Sequence, residues 1–217
     1  MSLIFQKLAL ISALFFAESS VLAASEVSLA DLKKIQDKLQ LADTFTADFN
    51  QTVFRKLRHR EVKSRGTATF GRPNLFRWVI HEPTKLELIY NGTELVQYEP
   101  DEKLALKLST ANAKRRELED ITSAAVNLGV LLDRYRLDRA IREGTTVVLS
   151  LSPRSESEIS GVNISINTQD NFVQEVKLQF KDGQSNTIVF STPKSITRQP
   201  ELFSFLPPKD VKINEIK

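Results

Sequence analysis

Cysteine is absent from this 217-residue sequence, and histidine, methionine and tryptophan are scarce. Without cysteine the chain forms no disulfide and has no thiolate that acts as a nucleophile or a metal ligand. The two histidines, His59 and His81, do not form an H-E-x-x-H motif, so a zinc site lacks its usual ligands. The sequence also contains no G-x-S-x-G, phosphate-loop or G-x-G-x-x-G motif. We therefore expect a protein that is not an enzyme and that carries no cofactor and no metal.

Long hydrophobic runs are also absent, apart from one short segment near the N-terminus. Residues 8–16 are almost entirely apolar and follow Lys7, but a membrane-spanning helix needs about 20 such residues. A short apolar run that ends in small residues at Ala23 is typical of a cleaved secretory signal peptide. An amphipathic first helix is the alternative, but the run has no polar face at helical spacing. We expect residues 1–23 to be a signal peptide and 24–217 the mature chain, exported to the periplasm.

Alternation of apolar and polar residues dominates the rest of the sequence and indicates β-strands with one apolar face. The alternating apolar residues are Phe45, Ala47, Phe49 and Val53, then Leu104, Leu106 and Leu108, then Val162, Ile164 and Ile166, and finally Phe172, Val176, Leu178 and Phe180. Weaker alternation is found at residues 66–70, 145–151 and 187–190. The pattern predicts about ten or eleven antiparallel strands joined by short turns.

The clearest turn signal is Asn91-Gly92, because both residues tolerate positive φ and lie between two alternating segments. It predicts a tight hairpin between residues 86–90 and 95–98. Pro73 cannot donate a backbone hydrogen bond, so the strand that comes before this hairpin is expected to begin just after this proline, at about Asn74. On this pair of strands the apolar face carries Phe76, Trp78, Ile80, Leu86, Leu88 and Tyr90, and the polar face carries Arg77, Lys85 and Glu87.

Two segments have helical spacing instead. The first is predicted from Ser28 to Leu41, with Ser28 and Asp31 forming a capping-box-like start. The second runs from Lys114 to Leu132. Since only these helices are available to cover an apolar sheet face, we expect one domain with a helix-covered interior over 24–217. From the residues alone, that interior is either a packed core or a ligand cavity.

Charged residues cluster in two places. The segment 55–60 reads R-K-L-R-H-R, and we interpret it as a solvated hairpin loop; the alternative is a docking patch for an acidic partner or anionic lipid headgroups. Nucleic acid is not an expected partner, because no aromatic residues are interleaved with the basic ones. The acidic cluster of Glu117, Glu119 and Asp120 is interpreted as a solvated face.

Four motifs extend the sequence argument. Residues 45–52 contain F-N-Q-T, 71–78 read G-R-P-N-L-F-R-W, 91–100 read N-G-T-E-L-V-Q-Y-E-P, and 203–211 read F-S-F-L-P-P-K-D-V. These motifs resemble F-x-Q-T, R-P-N-x-F-x-W, D-G-x-x-L-W-x-Y-x-P and F-x-F-x-P-P-x-G-V of the LolA family, the periplasmic outer-membrane lipoprotein carriers. The segment 115–160 matches only loosely.

The resemblance implies an unclosed antiparallel half-barrel covered by two or three helices, with an apolar cavity that holds lipoprotein acyl chains. It also implies a monomeric carrier that receives lipoproteins from an inner-membrane ABC exporter and passes them to an outer-membrane receptor. Arg72 matches the family's arginine whose guanidinium binds lid-helix carbonyls in the closed, empty state, and we call it the lid latch. The candidate acyl-chain cavity residues are Phe49, Phe76, Trp78, Leu88, Tyr90, Leu106, Ile121 and Leu128.

Two alternatives to a lipoprotein carrier remain open from the sequence. One is a related carrier of another amphiphile, such as a glycolipid or a pathway-specific lipid. The other is a lipid- or lipoprotein-sensing module on the same fold, although such modules usually carry a further domain and we expect none after Lys217. The lid-equivalent segment also lacks the proline often found there and contains Asn127 and Gly129, so its shape is expected to differ from the family's.

Overall fold

A computed structural model describes residues 24–39, 43–108 and 113–216 of the chain. In this part of the chain the strands are β1 (Ser25–Glu26), β2 (Thr44–Arg55), β3 (Arg60–Gly71), β4 (Leu75–Glu82), β5 (Leu86–Tyr90), β6 (Leu95–Glu99), β7 (Leu104–Leu108), β8 (Tyr135–Glu143), β9 (Thr146–Pro153), β10 (Ile159–Asn167), β11 (Phe172–Phe180), β12 (Ser185–Ser195) and β13 (Lys212–Ile216). The helices are α1 (Leu29–Leu39), α2 (Ala113–Val126) and α3 (Leu128–Arg134). The fold is therefore mainly β with a small helical layer.

All thirteen described strands belong to one sheet, in the order β1-β8-β9-β10-β11-β12-β2-β3-β4-β5-β6-β7-β13. The two ends of this order do not pair with each other, so the sheet is an open half-barrel, as predicted. Every pair is antiparallel except β13 with β7, which is parallel. The count exceeds the ten or eleven strands expected, partly because β1 and β13 are short edge strands. The β8 strand was also missed, since its many charged residues hide the alternation.

The predicted hairpin exists between β5 and β6, but its connection is a four-residue loop. Tyr90 and Leu95 form the last pair before the loop. The Asn91 side chain accepts hydrogen bonds from the backbone N–H groups of Thr93 at 3.0 Å and Glu94 at 2.9 Å. Gly92 has a φ of 99°, which suits glycine. An Asx-type turn at Asn91 therefore replaces the tighter turn that the sequence suggested.

The start of α1 agrees with the capping prediction. Ser28 Oγ accepts a hydrogen bond from the Asp31 backbone N–H at 3.1 Å and donates one to the Asp31 carboxylate at 2.8 Å. The helix buries Leu32 and Ile35. The last described residue of this helix is Leu39. Its predicted end at Leu41 lies outside the described residues.

The single helix predicted from Lys114 to Leu132 is in fact two helices. Asn127 separates α2 from α3 with a φ of −150°. Its side-chain oxygen accepts a hydrogen bond from the Val130 N–H at 3.3 Å, so it is the N-cap of α3. The apolar spacing continues through the break, which is why sequence periodicity did not show it. No helix among the described residues is long and apolar enough to cross a membrane.

The core lies between the concave face of the sheet and the helices. Its centre is a group of aromatic side chains, which we call the aromatic cluster: Phe45, Phe49, Phe70, Trp78, Phe172 and Phe190. From the helical side Ile121, Leu128 and Leu131 are fully or almost fully buried. The alternating apolar side chains of the strands and the apolar side chains of the helices therefore pack in one shared interior.

Candidate functional site: the apolar interior and its helical cover

The predicted cavity residues occupy the interior, with one exception. The buried ones are Phe49, Phe76, Trp78, Leu88, Tyr90, Ile121 and Leu128. Leu106 is only half-buried and lies outside the packed core. These buried side chains pack against one another, so this closed arrangement fills the interior with the protein's own residues. Their role as an acyl-chain lining stays a prediction.

Trp78 is the most informative of these residues because it carries a polar atom into the aromatic cluster. Its ring centroid lies 4.7 Å from that of Phe49, and 5.7 Å from those of Phe70 and Phe190. The indole Nε1 is buried and has no hydrogen-bond partner within the described part of the chain. A buried unpaired donor costs about 1–3 kcal/mol, so such groups are uncommon in packed cores. The interior therefore contains one buried N–H group for which the described residues offer no acceptor.

Arg72 connects the sheet to α1. It follows the last residue of β3, and its Nη2 donates a hydrogen bond of 2.9 Å to the carbonyl oxygen of Leu39. Leu39 lies at the C-terminal end of α1, where unpaired carbonyls and the helix dipole favour a cation. Partial burial lowers the pKa of Arg72, and the nearby Asp43 carboxylate opposes that shift. An arginine stays charged under such a shift, so the bond to Leu39 is charge-assisted.

Arg198 supports the Arg72 segment from outside. Its Nη1 donates to the backbone oxygen of Arg72 at 3.1 Å and lies 3.8 Å from the Asp43 carboxylate. The Arg72 backbone N–H in turn donates to the backbone carbonyl oxygen of Asp43 at 3.0 Å. The sequence identified Arg72, but not Arg198 or Asp43, because these residues are far apart in the chain and carry no motif.

A polar relay attaches α2 to the sheet. Asn186 on β12 donates to the Glu117 carboxylate of α2 at 2.5 Å. Gln51 on β2 donates to the Asn186 side-chain oxygen at 3.0 Å, and Ser64 on β3 donates to Gln51 at 2.9 Å. Sequence analysis missed this relay, although Gln51 interrupts the inward-facing apolar positions of β2 between Phe49 and Val53. A polar residue at an inward-facing position was therefore the sequence signal that could have indicated this relay.

Asp120 forms a second attachment, between the helices and β8. It is buried, which corrects the interpretation of this acidic cluster as a solvated face. Tyr135 Oη donates to Asp120 at 2.8 Å, and Arg134 Nη1 lies 2.7 Å from its other carboxylate oxygen. Arg134 also donates to Ser123 Oγ at 3.1 Å. Burial raises the pKa of Asp120 despite the opposing effects of Arg134 and Tyr135, and burial followed by the Asp120 charge raises the pKa of Tyr135.

Both attachments border a cleft of about 1200 Å³ at one end of the half-barrel. Its lining includes Gln51, Asn186, Asp120 and Tyr135, together with residues of the segment 153–159. None of the predicted cavity residues line it, so the cleft lies beside the packed interior rather than within it. Among the described residues, no group of three His, Asp or Glu side chains is placed to hold a metal ion.

The cleft and the Arg72 contact lie at opposite ends of the β2–β3 ribbon. Thr44 at the start of β2 pairs with Gly71, next to Arg72, while Arg55 at its end pairs with Arg60 beside the cleft. A strand of this length spans roughly 36 Å. The helical cover is thus held by polar contacts at both ends, with the apolar interior between them.

Comparisons with known proteins agree with this architecture. Residues 40–206 match the family model described as "Outer membrane lipoprotein carrier protein LolA". An outer-membrane lipoprotein carrier protein of Chromobacterium violaceum is 29% identical over 172 residues, covering 78% of this chain and 80% of the relative. One of Photobacterium profundum is 26% identical over 204 residues, covering 93% and 97%.

A solved structure has the same fold at lower sequence similarity. An uncharacterized conserved protein of Thermus thermophilus superposes with a TM-score of 0.54 at 12% identity, covering 85% of this chain and 99% of that one. At such low identity the match concerns the fold alone.

Proposed function

This chain belongs to the LolA family of outer-membrane lipoprotein carrier proteins, and we propose that it is a periplasmic carrier that shields lipoprotein acyl chains in the interior between the half-barrel and α1–α3. In this proposal it receives them from an inner-membrane ABC exporter and delivers them to an outer-membrane receptor. It acts by binding and release and catalyses no reaction. The need is physical, because exposing an acyl chain to water costs about 0.8 kcal/mol per CH₂.

The observation that carries the proposal is the position of α1 over an apolar sheet face, to which its described residues attach it by apolar side chains and by a hydrogen bond from Arg72. Its described buried side chains are Leu32 and Ile35, and exposing two such side chains costs about 3–6 kcal/mol. Breaking the charge-assisted bond from Arg72 to Leu39 adds about 1.5–3 kcal/mol. Burying roughly six to twelve methylene groups offsets the sum. By this estimate, burial of one acyl chain of ordinary length offsets the cost of breaking these contacts of α1.

Release follows from the same balance. When the chain leaves, α1 returns to the sheet and the Arg72 bond to Leu39 forms again. The empty state is thus stabilised by contacts that the loaded state lacks, which lowers the net affinity for cargo. A carrier needs this property, because cargo held by apolar burial alone would be released too slowly to deliver.

Trp78 provides the direct test of this proposal, since it is the one tryptophan of the chain and lies in the aromatic cluster. We expect its fluorescence to change when a synthetic lipopeptide is added and to stay constant with the deacylated peptide. An equal response to both peptides would mean that the peptide is recognised rather than the acyl chain. Absence of any response would indicate a permanently filled core and would contradict the proposal.

Mass spectrometry of the molecules that co-purify with the protein from the periplasm identifies the class of cargo. We expect acylated lipoproteins. Recovery of a glycolipid or another lipid in their place would assign the chain to the alternative carrier class, with the same binding interior and a different headgroup.

A further inference from the structure

The tip of the β2–β3 hairpin, which we define as residues 55–60, combines basic charge with an exposed apolar side chain. It contains a short 3₁₀ turn, Lys56–Arg58, closed by a hydrogen bond of 3.1 Å from the His59 N–H to the Lys56 oxygen. His59 adopts the left-handed conformation with a φ of 42°. Leu57 in the middle of this turn is 88% exposed. The backbone therefore holds a leucine side chain in solvent at the end of the ribbon.

The cations around Leu57 have few local partners. In the part of the chain that the structure describes, Arg55, Arg58 and Arg60 form no hydrogen bond or ion pair through their side chains, whereas most of the other described arginines are paired. The paired ones include Arg65 with Glu82 at 2.5 Å, Arg77 with Glu87 at 2.6 Å and Arg136 with Asp138 at 2.9 Å. The tip thus presents three arginine side chains without an ion pair among the described residues.

We propose that this tip docks the protein on anionic phospholipid surfaces, with Leu57 entering the headgroup layer and Arg55, Arg58 and Arg60 binding lipid phosphates. An apolar side chain together with several cations is the combination that gives reversible binding to a membrane surface. Guanidinium groups form strong, often bidentate hydrogen bonds with phosphate. Charge complementarity thus selects an anionic surface as the occupant.

A lipid surface fits the tip better than an acidic protein does. A stable protein interface buries about 800 Å² on each side and has a packed apolar centre. The tip offers a single exposed apolar side chain at the end of a narrow two-stranded ribbon. A headgroup layer accepts one inserted side chain surrounded by cations and needs no complementary shape.

The position of the tip also suits the proposed carrier function, and the inference rests on that function for its use. Leu57 and Arg58 line the cleft beside the interior, so a docked tip brings the cleft up to the lipid surface. The Arg72 contact lies at the far end of the ribbon, roughly 36 Å away. Cargo would then enter or leave near the bilayer, while α1 is released at the other end.

The test is sedimentation of the mature chain with protein-free vesicles. Vesicles of phosphatidylglycerol and phosphatidylethanolamine are compared with vesicles of phosphatidylcholine. We expect binding to the anionic vesicles alone, weakened by salt. Leu57→Ser should weaken binding on the order of tenfold, and the combined change Arg55→Gln, Arg58→Gln and Arg60→Gln should abolish it.

Matched controls are available on the same molecule. Leu206 is 78% exposed, so Leu206→Ser removes a comparably exposed leucine. Arg139→Gln removes an exposed arginine outside the tip. Both controls should bind vesicles as the parent does. Circular dichroism verifies that every variant is folded.

Three results with vesicles would overturn the inference. They are equal binding to the anionic and the phosphatidylcholine vesicles, parent-like binding of Leu57→Ser, or equal losses in the control variants. Binding to native membranes but not to protein-free vesicles would also overturn it and would indicate an acidic protein partner.

The Trp78 response to lipopeptide is measured in parallel on Leu57→Ser, where we expect it to be unchanged. Its absence in the parent, with vesicle binding intact, would refute the carrier proposal and not the docking tip.

Discussion

At the scale of single residues, we propose that Arg72 sets the balance between a closed, empty state and an open, loaded state. Its guanidinium binds the Leu39 carbonyl at the C-terminal end of α1, where the helix leaves acceptors unpaired. The contact exists only while α1 lies on the sheet. Removing it therefore changes the free energy of the closed, empty state and leaves a loaded, open state nearly unaffected.

We predict that Arg72→Leu retains cargo on the order of ten- to a hundredfold more tightly. The closed state loses about 1.5–3 kcal/mol of charge-assisted hydrogen bonding. This free energy is then no longer gained when the cargo leaves, so release is less favourable. The measurement charges each protein with a labelled lipoprotein and follows its transfer to acceptor-containing membranes. Arg65→Leu is the control, since its partner Glu82 is exposed and such surface pairs contribute little. Transfer by folded Arg72→Leu at the parent rate would show that Arg72 is not a latch.

Asp120 leads to a prediction about pH. Because burial raises its pKa in the folded state above the ordinary value of 3.8, the protonated form favours folding. The stability it contributes is fully present below that ordinary value and is lost as the pH rises through the raised pKa. Relative to Asp120→Asn, the parent should therefore gain unfolding free energy as the pH falls from neutral toward 3.8. Urea unfolding of both proteins at several pH values measures the difference.

Asp138 provides a control of opposite sign. Hydrogen bonds from Arg136 and Ser152 lower its pKa below 3.8, so its contribution is present above that value and is lost as the pH falls through the lowered pKa. Comparison with Asp138→Asn should therefore give a slope opposite to that of Asp120→Asn. Equal slopes for the two variants would contradict the assignment of Asp120 as a buried carboxylate.

At the scale of elements, the strands and the helices tolerate crowding differently. Gly66 on β3 lies so close to β4 that an added Cβ would be 2.0 Å from the Val79 carbonyl oxygen. Gly129 on α3 faces α1, where an added Cβ would be 2.7 Å from Gln36 Nε2. The first neighbour is backbone in a hydrogen-bonded ladder, and the second is the end of a flexible side chain.

We predict that Gly66→Ala destabilises the protein by about 3 kcal/mol or more, because the ladder between β3 and β4 must shift. Gly129→Ala should stay within about 1 kcal/mol of the parent, since Gln36 can move and alanine has the higher helix propensity. Chemical denaturation of the two variants gives both values. Similar stabilities would show that the sheet yields as easily as the helical cover.

At the scale of the whole molecule, polar contacts and apolar packing have separate places. Apolar residues fill the interior, while the Arg72 contact and the cleft attachments hold the helices at opposite ends. The sheet is continuous from β1 to β13, and the helices are joined to it by side-chain hydrogen bonds such as those from Arg72 and Asn186. Such an arrangement lets the cover move while the half-barrel stays intact.

The last prediction concerns the chain that reaches the periplasm. Lys7 and the apolar run at residues 8–16 predict a cleaved leader, so the mature protein should begin at or near Ala24 and be released by osmotic shock. Intact-mass measurement of the released protein determines its first residue. Recovery of the full-length chain in the membrane fraction would contradict both the leader and the proposed compartment.

The sequence by itself determined an antiparallel sheet with one apolar face, because alternation with period two places apolar residues on one face whatever the neighbouring strands are. The open half-barrel was implied by the family motifs. It also determined the capped start of α1 at Ser28 and identified Arg72 through its family motif. These features depend on residues close together in the chain. Their physical causes are local, and local causes can be read from residue order.

Only the tertiary structure decided where the buried polar groups find partners. Asp120 with Tyr135, and Asn186 with Glu117, join residues from different elements, and no pattern within either segment predicts the pairing. The same holds for Leu57, whose exposure depends on where the β2–β3 ribbon ends relative to the rest of the sheet. The burial of a side chain and the identity of its hydrogen-bond partner are properties of the assembled fold, since both depend on which distant segments come into contact.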